Sequence, residues 1–395
     1  MPETLLNRRQ WLAAGAALAG GAGLASITPR AHAAGHATGI AQTPRTIASV
    51  AGPLTVPANG REYGREPLAK DTITVSAVQS RVRAVDGKRP GPGIRANLEH
   101  MLELIDKSQF FGGRKDLLCF HEFPLQGWNP WDRKELERLC IEVPGEETEA
   151  IAAKAREHGC YIKFGAYVMD KDWPGHVLSI TSIIGPDGEI VARDWKARNI
   201  KGTFPGFELV TTTVYNVLDR YVEMYGADAV IPVHRTPIGN LATSSTQMEP
   251  ELFRCMAMKG AELILRTASG GFTPGDMQMT AAYNKVYTVI VNNAVSPDNP
   301  GFMDDAFGGA GGTAIYGPRG ETVAEADSKF EQQVIARIPI AAFRQRHAIP
   351  DVHMALYAPV MSAYTPRFDA NLFADDLPAS LVDAKSFLGK NDNWR

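Results

Sequence analysis

One phrase of this chain occurs twice. Ser179-Ile-Thr-Ser-Ile-Ile-Gly-Pro-Asp-Gly-Glu-Ile-Val-Ala192 returns, about 130 residues later, as Thr313-Ala-Ile-Tyr-Gly-Pro-Arg-Gly-Glu-Thr-Val-Ala324. Each copy has apolar residues on both sides of a Gly-Pro-x-Gly turn, the signature of a β-hairpin. Two matching hairpins so far apart imply two sheets related by approximate internal symmetry. The length of 395 residues suits one large domain or two ordinary ones.

The remaining segments alternate in period. Thr72–Gln79 alternates as a strand, Ile94–Ile105 carries a helical apolar stripe, and Leu117–Phe120 is a short buried strand. Glu146–His158 reads as a helix and Tyr161–Val168 as a strand. Between the hairpins lie strand Leu241–Thr243, helix Pro250–Lys259, strand Glu262–Thr267, helix Met277–Val286 and strand Thr288–Ala294. Such alternation favours a layered α/β fold. No composition break divides residues 71–340, which are read as one domain. Residues 34–70 form an extended arm or linker, and residues 341–395 a C-terminal tail making oligomer contacts or packing on the domain. With 44% hydrophobic and 22% charged residues the chain can bury a sizeable core. A net charge of −3 offers no basic field for nucleic acid.

The N-terminus has a different character. Asn7-Arg8-Arg9-Gln10-Trp11-Leu12 precedes an Ala/Gly/Leu-rich run to Ile27 and then Ala31-His32-Ala33. A charged region, an apolar region and a small-x-small site follow signal-peptide order, and the paired arginines resemble a twin-arginine export signal. Residues 1–33 are therefore expected to be a signal for the periplasm. The run of about 16 residues is too short and too glycine-rich for a stable membrane span. An oxidising compartment would permit disulfides among Cys119, Cys140, Cys160 and Cys255, of which Cys140–Cys160 is the pair to consider.

No histidine spacing suits zinc, no glycine-rich loop follows a strand, and no cofactor motif is present. Three places can carry chemistry. Glu122, in Phe120-His-Glu-Phe-Pro124, sits just past an apolar strand, where a carboxylate needs a partner. Lys196 closes the first hairpin and can hold an oxyanion or pair with Glu122. The stretch Gly239-Asn-Leu-Ala-Thr-Ser-Ser-Thr-Gln-Met-Glu-Pro-Glu251 is a strand, a polar elbow and a helix start. Backbone N–H groups at such an elbow bind oxyanions, and a hydroxyl there can be a nucleophile. Taken singly, each place also reads as an ordinary surface turn, basic run or polar loop.

In this order the three resemble the nitrilase superfamily of carbon–nitrogen hydrolases. The most specific stretch is Pro250-Glu-Leu-Phe-Arg-Cys-Met-Ala-Met-Lys-Gly-Ala-Glu-Leu-Ile-Leu265, which is similar to the helix and strand after the nucleophile in aliphatic amidases. The resemblance covers residues 71–340. It implies a four-layer α-β-β-α sandwich, dimerising to a larger sandwich, with a glutamate base, a lysine that stabilises the tetrahedral intermediate and a cysteine nucleophile. Glu122 matches the base, although His121 replaces the usual proline. Lys196 matches the lysine, with Lys201 an alternative. Glu208 is the nearest match to a second glutamate that often follows the lysine. The nucleophile departs from the pattern: six residues before Pro250 stands Ser244, and the acidic neighbours common after the cysteine are absent.

A serine hydroxyl is far less acidic than a thiol, and a lone carboxylate removes its proton only in concert with attack. Three readings remain open. Ser244 is a nucleophile that cleaves an amide or ester, with Glu122 as base and Lys196 and an elbow N–H holding the oxyanion. Alternatively, Glu122 activates water or acts as acid/base without a covalent step. Or the domain is an inactive binding or scaffold protein. Ser245 and Trp128 are candidate substrate contacts beside Glu208, while the tyrosines of Thr211–Ala229 read as helical packing.

Overall fold

A computed structural model describes residues 54, 62–199, 211–302 and 309–394. Residues 1–33, Lys201 and Glu208 lie outside the described residues. The first sheet holds β1 (Ile73–Gln79), β2 (Leu117–Cys119), β3 (Tyr161–Val168), β4 (Leu178–Ile184), β5 (Ile190–Trp195) and β12 (Gln332–Ile338). Its order is β12-β1-β2-β3-β4-β5. The second sheet holds β6 (His234–Thr236), β7 (Gly239–Ser244), β8 (Leu263–Thr267), β9 (Tyr287–Val291), β10 (Ala314–Tyr316) and β11 (Thr322–Glu325), ordered β11-β10-β9-β8-β7-β6.

The two sheets are built alike. Each has an antiparallel edge strand, three parallel strands and a closing antiparallel hairpin: β12 then β1–β3 then β4–β5, and β6 then β7–β9 then β10–β11. The repeated Gly-Pro-x-Gly phrase thus closes both sheets. The edge strand β12 crosses from the second half of the chain to pair with β1, with Ile73 opposite Ile338.

Strand alternation sorts the apolar side chains into layers. Val75, Ala77, Leu117 and Cys119 of the first sheet meet Leu241, Leu263, Leu265 and Val289 of the second. The opposite face of the first sheet, with Leu118, Ile162 and Phe164, packs on α1 (Gly91–Phe110) and α3 (Glu146–His158) through Met101, Ile105 and Ile151. The opposite face of the second sheet packs on α5 (Pro250–Met258) and α6 (Pro274–Asn284) through Phe253, Met256 and Met277. The result is the α-β-β-α order.

Short helices complete the chain. These are α2 (Arg133–Leu139), α4 (Leu218–Tyr225), α7 (Ile340–Arg346), α8 (Met354–Ala363) and α9 (Leu381–Lys390). Within the segment read as helical packing, Tyr221 is buried and lies 5.2 Å from the Trp195 ring. The end of the arm is anchored to the domain: the Tyr63 hydroxyl donates to the fully buried Glu262, whose carboxylate also accepts two bonds from Arg344 of α7. The tail returns over the single turn that precedes α4, where Asn371 N and Phe373 N donate to Tyr215 O and Asn216 O. All four cysteines carry free thiols, so the Cys140–Cys160 bridge considered from the sequence is not formed. Burial pushes the Cys160 thiol up to about 11. Among the described residues no helix is long and apolar enough to cross a membrane.

Candidate active site

Glu122 lies three residues past the end of β2, on a segment that keeps running beside β3. Phe120 N donates to Lys163 O at 2.7 Å and Gly165 N donates to His121 O at 3.1 Å. Gly165 is where this close approach needs a glycine, because a Cβ there would sit 2.2 Å from Glu122 O. His121 is fully buried, and its Nδ1 accepts from Phe123 N at 3.3 Å. Burial first, and the nearby Lys163 ammonium second, bring the His121 imidazole down to about 3, so it is neutral at physiological pH. Lys163, also fully buried, donates to Phe120 O at 2.8 Å, and burial lowers it to about 8.

Lys196 directly follows β5 and stays in register with the hairpin, its N–H donating to Ser179 O at 2.9 Å. Its ammonium reaches across to Glu122, Nζ to Oε1 3.2 Å, and each of the two side chains is 9% exposed. The structure therefore brings together the carboxylate and the lysine singled out from sequence.

Ser244 ends β7 and is buried. Its hydroxyl accepts from Thr246 N at 3.0 Å and donates to Thr246 O at 3.3 Å, a serine turn that forms the elbow before α5. Ser245 and Thr246 are buried with it. Two guanidinium groups hold the elbow. Arg266, opposite Ser244 on β8, is fully buried. It donates to Thr246 O at 3.0 Å, to Asp276 Oδ2 at 2.7 Å and to Thr280 Oγ1 at 3.1 Å. Asp276 Oδ2 in turn accepts from Met248 N at 2.9 Å, holding Met248 in a left-handed conformation with φ 52°. From the lysine side, Arg198 pairs with Glu249 and donates to Gln247 O at 2.7 Å. Within the strands themselves, Asp194 Oδ2 of β5 accepts from Thr243 Oγ1 of β7 at 2.7 Å. The segment around Lys196 is thus tied to the segment around Ser244 on both sides.

Trp128 is partly buried against the apolar core, and Trp131 is buried edge-on to Tyr167 at 6.2 Å. Among the described residues, one cluster has ligand types that suit a metal, Asp106, Glu157 and His158. Lys154 Nζ lies 2.8 Å from Asp106 and 2.9 Å from Glu157 there. The supporting residues Arg266, Arg198, Asp194 and Lys163 were missed from sequence. A signal existed for two of them: Lys163 and Arg266 are charges inside otherwise apolar strands, and such a charge must have a partner.

The chain is similar to known proteins. A formamidase from Helicobacter acinonychis (strain Sheeba) is 26% identical over 230 residues, 56% of this chain and 62% of the relative, so the match spans less than two thirds of that protein. A carbon–nitrogen hydrolase from Helicobacter pylori G27 superposes with a TM-score of 0.55 at 16% identity, covering 74% of this chain and 95% of that one. A variant of the amidase from Nesterenkonia sp. AN1, with the acetamide moiety of fluoroacetamide added covalently at its active-site cysteine, superposes with a TM-score of 0.52 at 15% identity, covering 77% and 98%. The fold is thus that of nitrilase-type amidases. The family model for carbon–nitrogen hydrolases matches residues 81–348, well over half of the chain, and the chain belongs to that family of hydrolases acting on carbon–nitrogen bonds.

Proposed function

We propose that this chain hydrolyses a small carboxamide through a serine nucleophile. The observation that carries the reading is the buried Glu122–Lys196 pair, on a segment tied to the Ser244 elbow. In this reading the Ser244 hydroxyl attacks the amide carbonyl as Glu122 takes its proton. Lys196 and a backbone N–H of the elbow stabilise the oxyanion. The intermediate collapses, Glu122 returns the proton to nitrogen, and ammonia or an amine leaves. Glu122 then takes a proton from water, which attacks the acyl-serine, and the carboxylic acid departs as Ser244 regains its hydrogen. Ser245 would supply an oxyanion N–H and Trp128 a pocket wall. An amide suits this site better than a nitrile, since thioimidate chemistry needs a thiol.

A second reading, in which Glu122 activates water directly, is favoured by one feature. The Ser244 hydroxyl bonds Thr246 and not Glu122. The deciding experiment is hydrolysis of a panel of amides, esters and nitriles, with Ser244→Ala and Glu122→Gln run alongside and intact-mass trapping of an acyl adduct. Loss of activity in both variants, with an adduct on wild type, supports the nucleophile. Full activity in Ser244→Ala transfers the role to water. An inert wild type with every amide tested favours a binding protein.

The Asn7–Ala33 pattern supports export to the periplasm as a folded protein, tested by fractionating cells with and without Arg8→Lys/Arg9→Lys. The uncovered apolar helix α8 supports association with a second copy.

A further inference from the structure

The two sheets meet through apolar side chains, and apolar contact is non-directional: it sets the spacing of the layers better than their register. One polar link crosses this layer near the site. Asp194, two residues before Lys196, alternates onto the face of Ala192, which packs between the sheets. Its carboxylate is buried and divided between two donors on the second sheet. Oδ2 accepts from Thr243 Oγ1 at 2.7 Å, and Oδ1 lies 2.8 Å from His234 Nε2. Thr243 immediately precedes Ser244 on β7, and His234 opens the neighbouring β6. A carboxylate at that distance assigns the proton to Nε2 of His234.

A buried carboxylate is costly unless its oxygens are bonded, and the proposed chemistry uses none of these three groups. A purely apolar contact would hold the two strands together equally well. What the polar link adds is direction. It pins the strand that delivers Lys196 to the strand that delivers Ser244, one residue before the elbow. Arg198, bonded to Gln247 O at 2.7 Å, pins the same segments beyond the reacting groups.

We propose that Asp194, gripped by Thr243 and His234 across the two sheets, is a positioning residue that fixes Lys196 relative to the Ser244 elbow. This rests on the reaction proposed above. Misplacement by about 1 Å at a reacting centre can cost about a hundredfold in rate, so a loosened link should appear mainly in kcat.

The test compares Thr243→Val, which keeps the shape and removes the donor, with Thr243→Ser, which keeps the donor. His234→Leu and His234→Gln form a second pair, since the glutamine amide can still donate. The expected result on the best amide is a fall in kcat of about tenfold or more for Thr243→Val and His234→Leu, with KM within about threefold, and substantial rescue in Thr243→Ser and His234→Gln. A parallel arm needs no turnover: reductive methylation of Lys196, followed by peptide mass spectrometry, should change rate several-fold in Thr243→Val and not in Thr243→Ser. If the donor-keeping and donor-lacking variants behave alike in both arms, the inference is overturned. If wild type cleaves no amide, the reaction reading fails by itself, and the methylation arm still decides the link.

Discussion

Lys196 and Glu122 form an ion pair, Nζ to Oε1 3.2 Å, in which both side chains are nearly enclosed. A buried pair is weak evidence for stability, because desolvation offsets most of the attraction; breaking it is costly, because one charge is left behind. In the reaction proposed above, this pair keeps a base and a cation beside each other. Lys196→Met should therefore destabilise the fold by roughly 3–5 kcal/mol. It should also lower kcat by about a hundredfold or more. The double variant Lys196→Met/Glu122→Leu, which removes both charges, should recover much of the stability and none of the activity. Urea unfolding beside steady-state assays checks both halves.

Ser244→Cys tests the nucleophile from the other direction. A thiol ionises near pH 8.5 when free, many units below a serine hydroxyl, so the carboxylate base has less to do. The variant should keep or raise amide turnover and should react with iodoacetamide at that residue. Equal activity in Ser244→Cys and Ser244→Ala would place the nucleophile elsewhere.

Gly165→Ala probes the support of Glu122 without touching its side chain. The added Cβ would lie 2.2 Å from Glu122 O, so the backbone that presents the carboxylate must move. The expected outcome is a loss of at least about tenfold in kcat with secondary structure unchanged by circular dichroism. Alanine at Gly91, where an added Cβ meets no other part of the fold within 4 Å, is the control and should leave kcat unchanged.

Much of this architecture could be read from the chain because it rests on local rules. The duplicated hairpin phrase marks the closing strands of both sheets, and period-2 and helical runs locate the parallel strands and flanking helices. β12 and β6 carry no local signature, for a physical reason. β6 has only three residues, and β12 gains its place by pairing with β1 more than 250 residues away, which no local pattern records. The site divides in the same way. Glu122, Lys196 and Ser244 stand at strand ends, where chemistry gathers in α/β folds. Arg266, Arg198 and Asp194 act by reaching other strands or the elbow, and only the fold gives them partners.

Acid sensitivity should begin near neutrality. Burial lowers His121 to about 3, and burial together with the Arg133 and Arg220 charges lowers His176 to about 4. Both lie below the unfolded value of about 6.5, so the unfolded chain takes up these protons first as the pH falls. The folded state keeps its full advantage above about pH 6.5 and loses it progressively on the way down to the folded values. Each histidine contributes a slope of about 1.4 kcal/mol per pH unit within its window. His121→Asn preserves an acceptor for Phe123 N and removes the proton site. Urea unfolding between pH 7.5 and 4.5 should give a shallower pH dependence for this variant than for wild type; parallel curves would refute the assignment.

The helix α8 is apolar and yet buries none of its residues: Leu356 is 68% exposed, Val360 70% and Met361 57%. A ten-residue helix is too short to be stable alone in water, least of all one with Pro359 inside it. Such a helix is stabilised by a covering surface, and an exposed apolar patch of this kind is a candidate interaction site. A second copy of the chain is the occupant we propose, because an isologous contact lets the same apolar face cover itself about a two-fold axis. Sedimentation equilibrium at micromolar concentration should give at least the dimer mass for the chain lacking residues 1–33. Leu356→Lys/Val360→Lys should shift it to monomer, with circular dichroism at 222 nm falling by the signal of one short helix. A wild-type monomer at tens of micromolar would sink the proposal. So would a double variant that remains a dimer, since the contact would then have to be built from some other face.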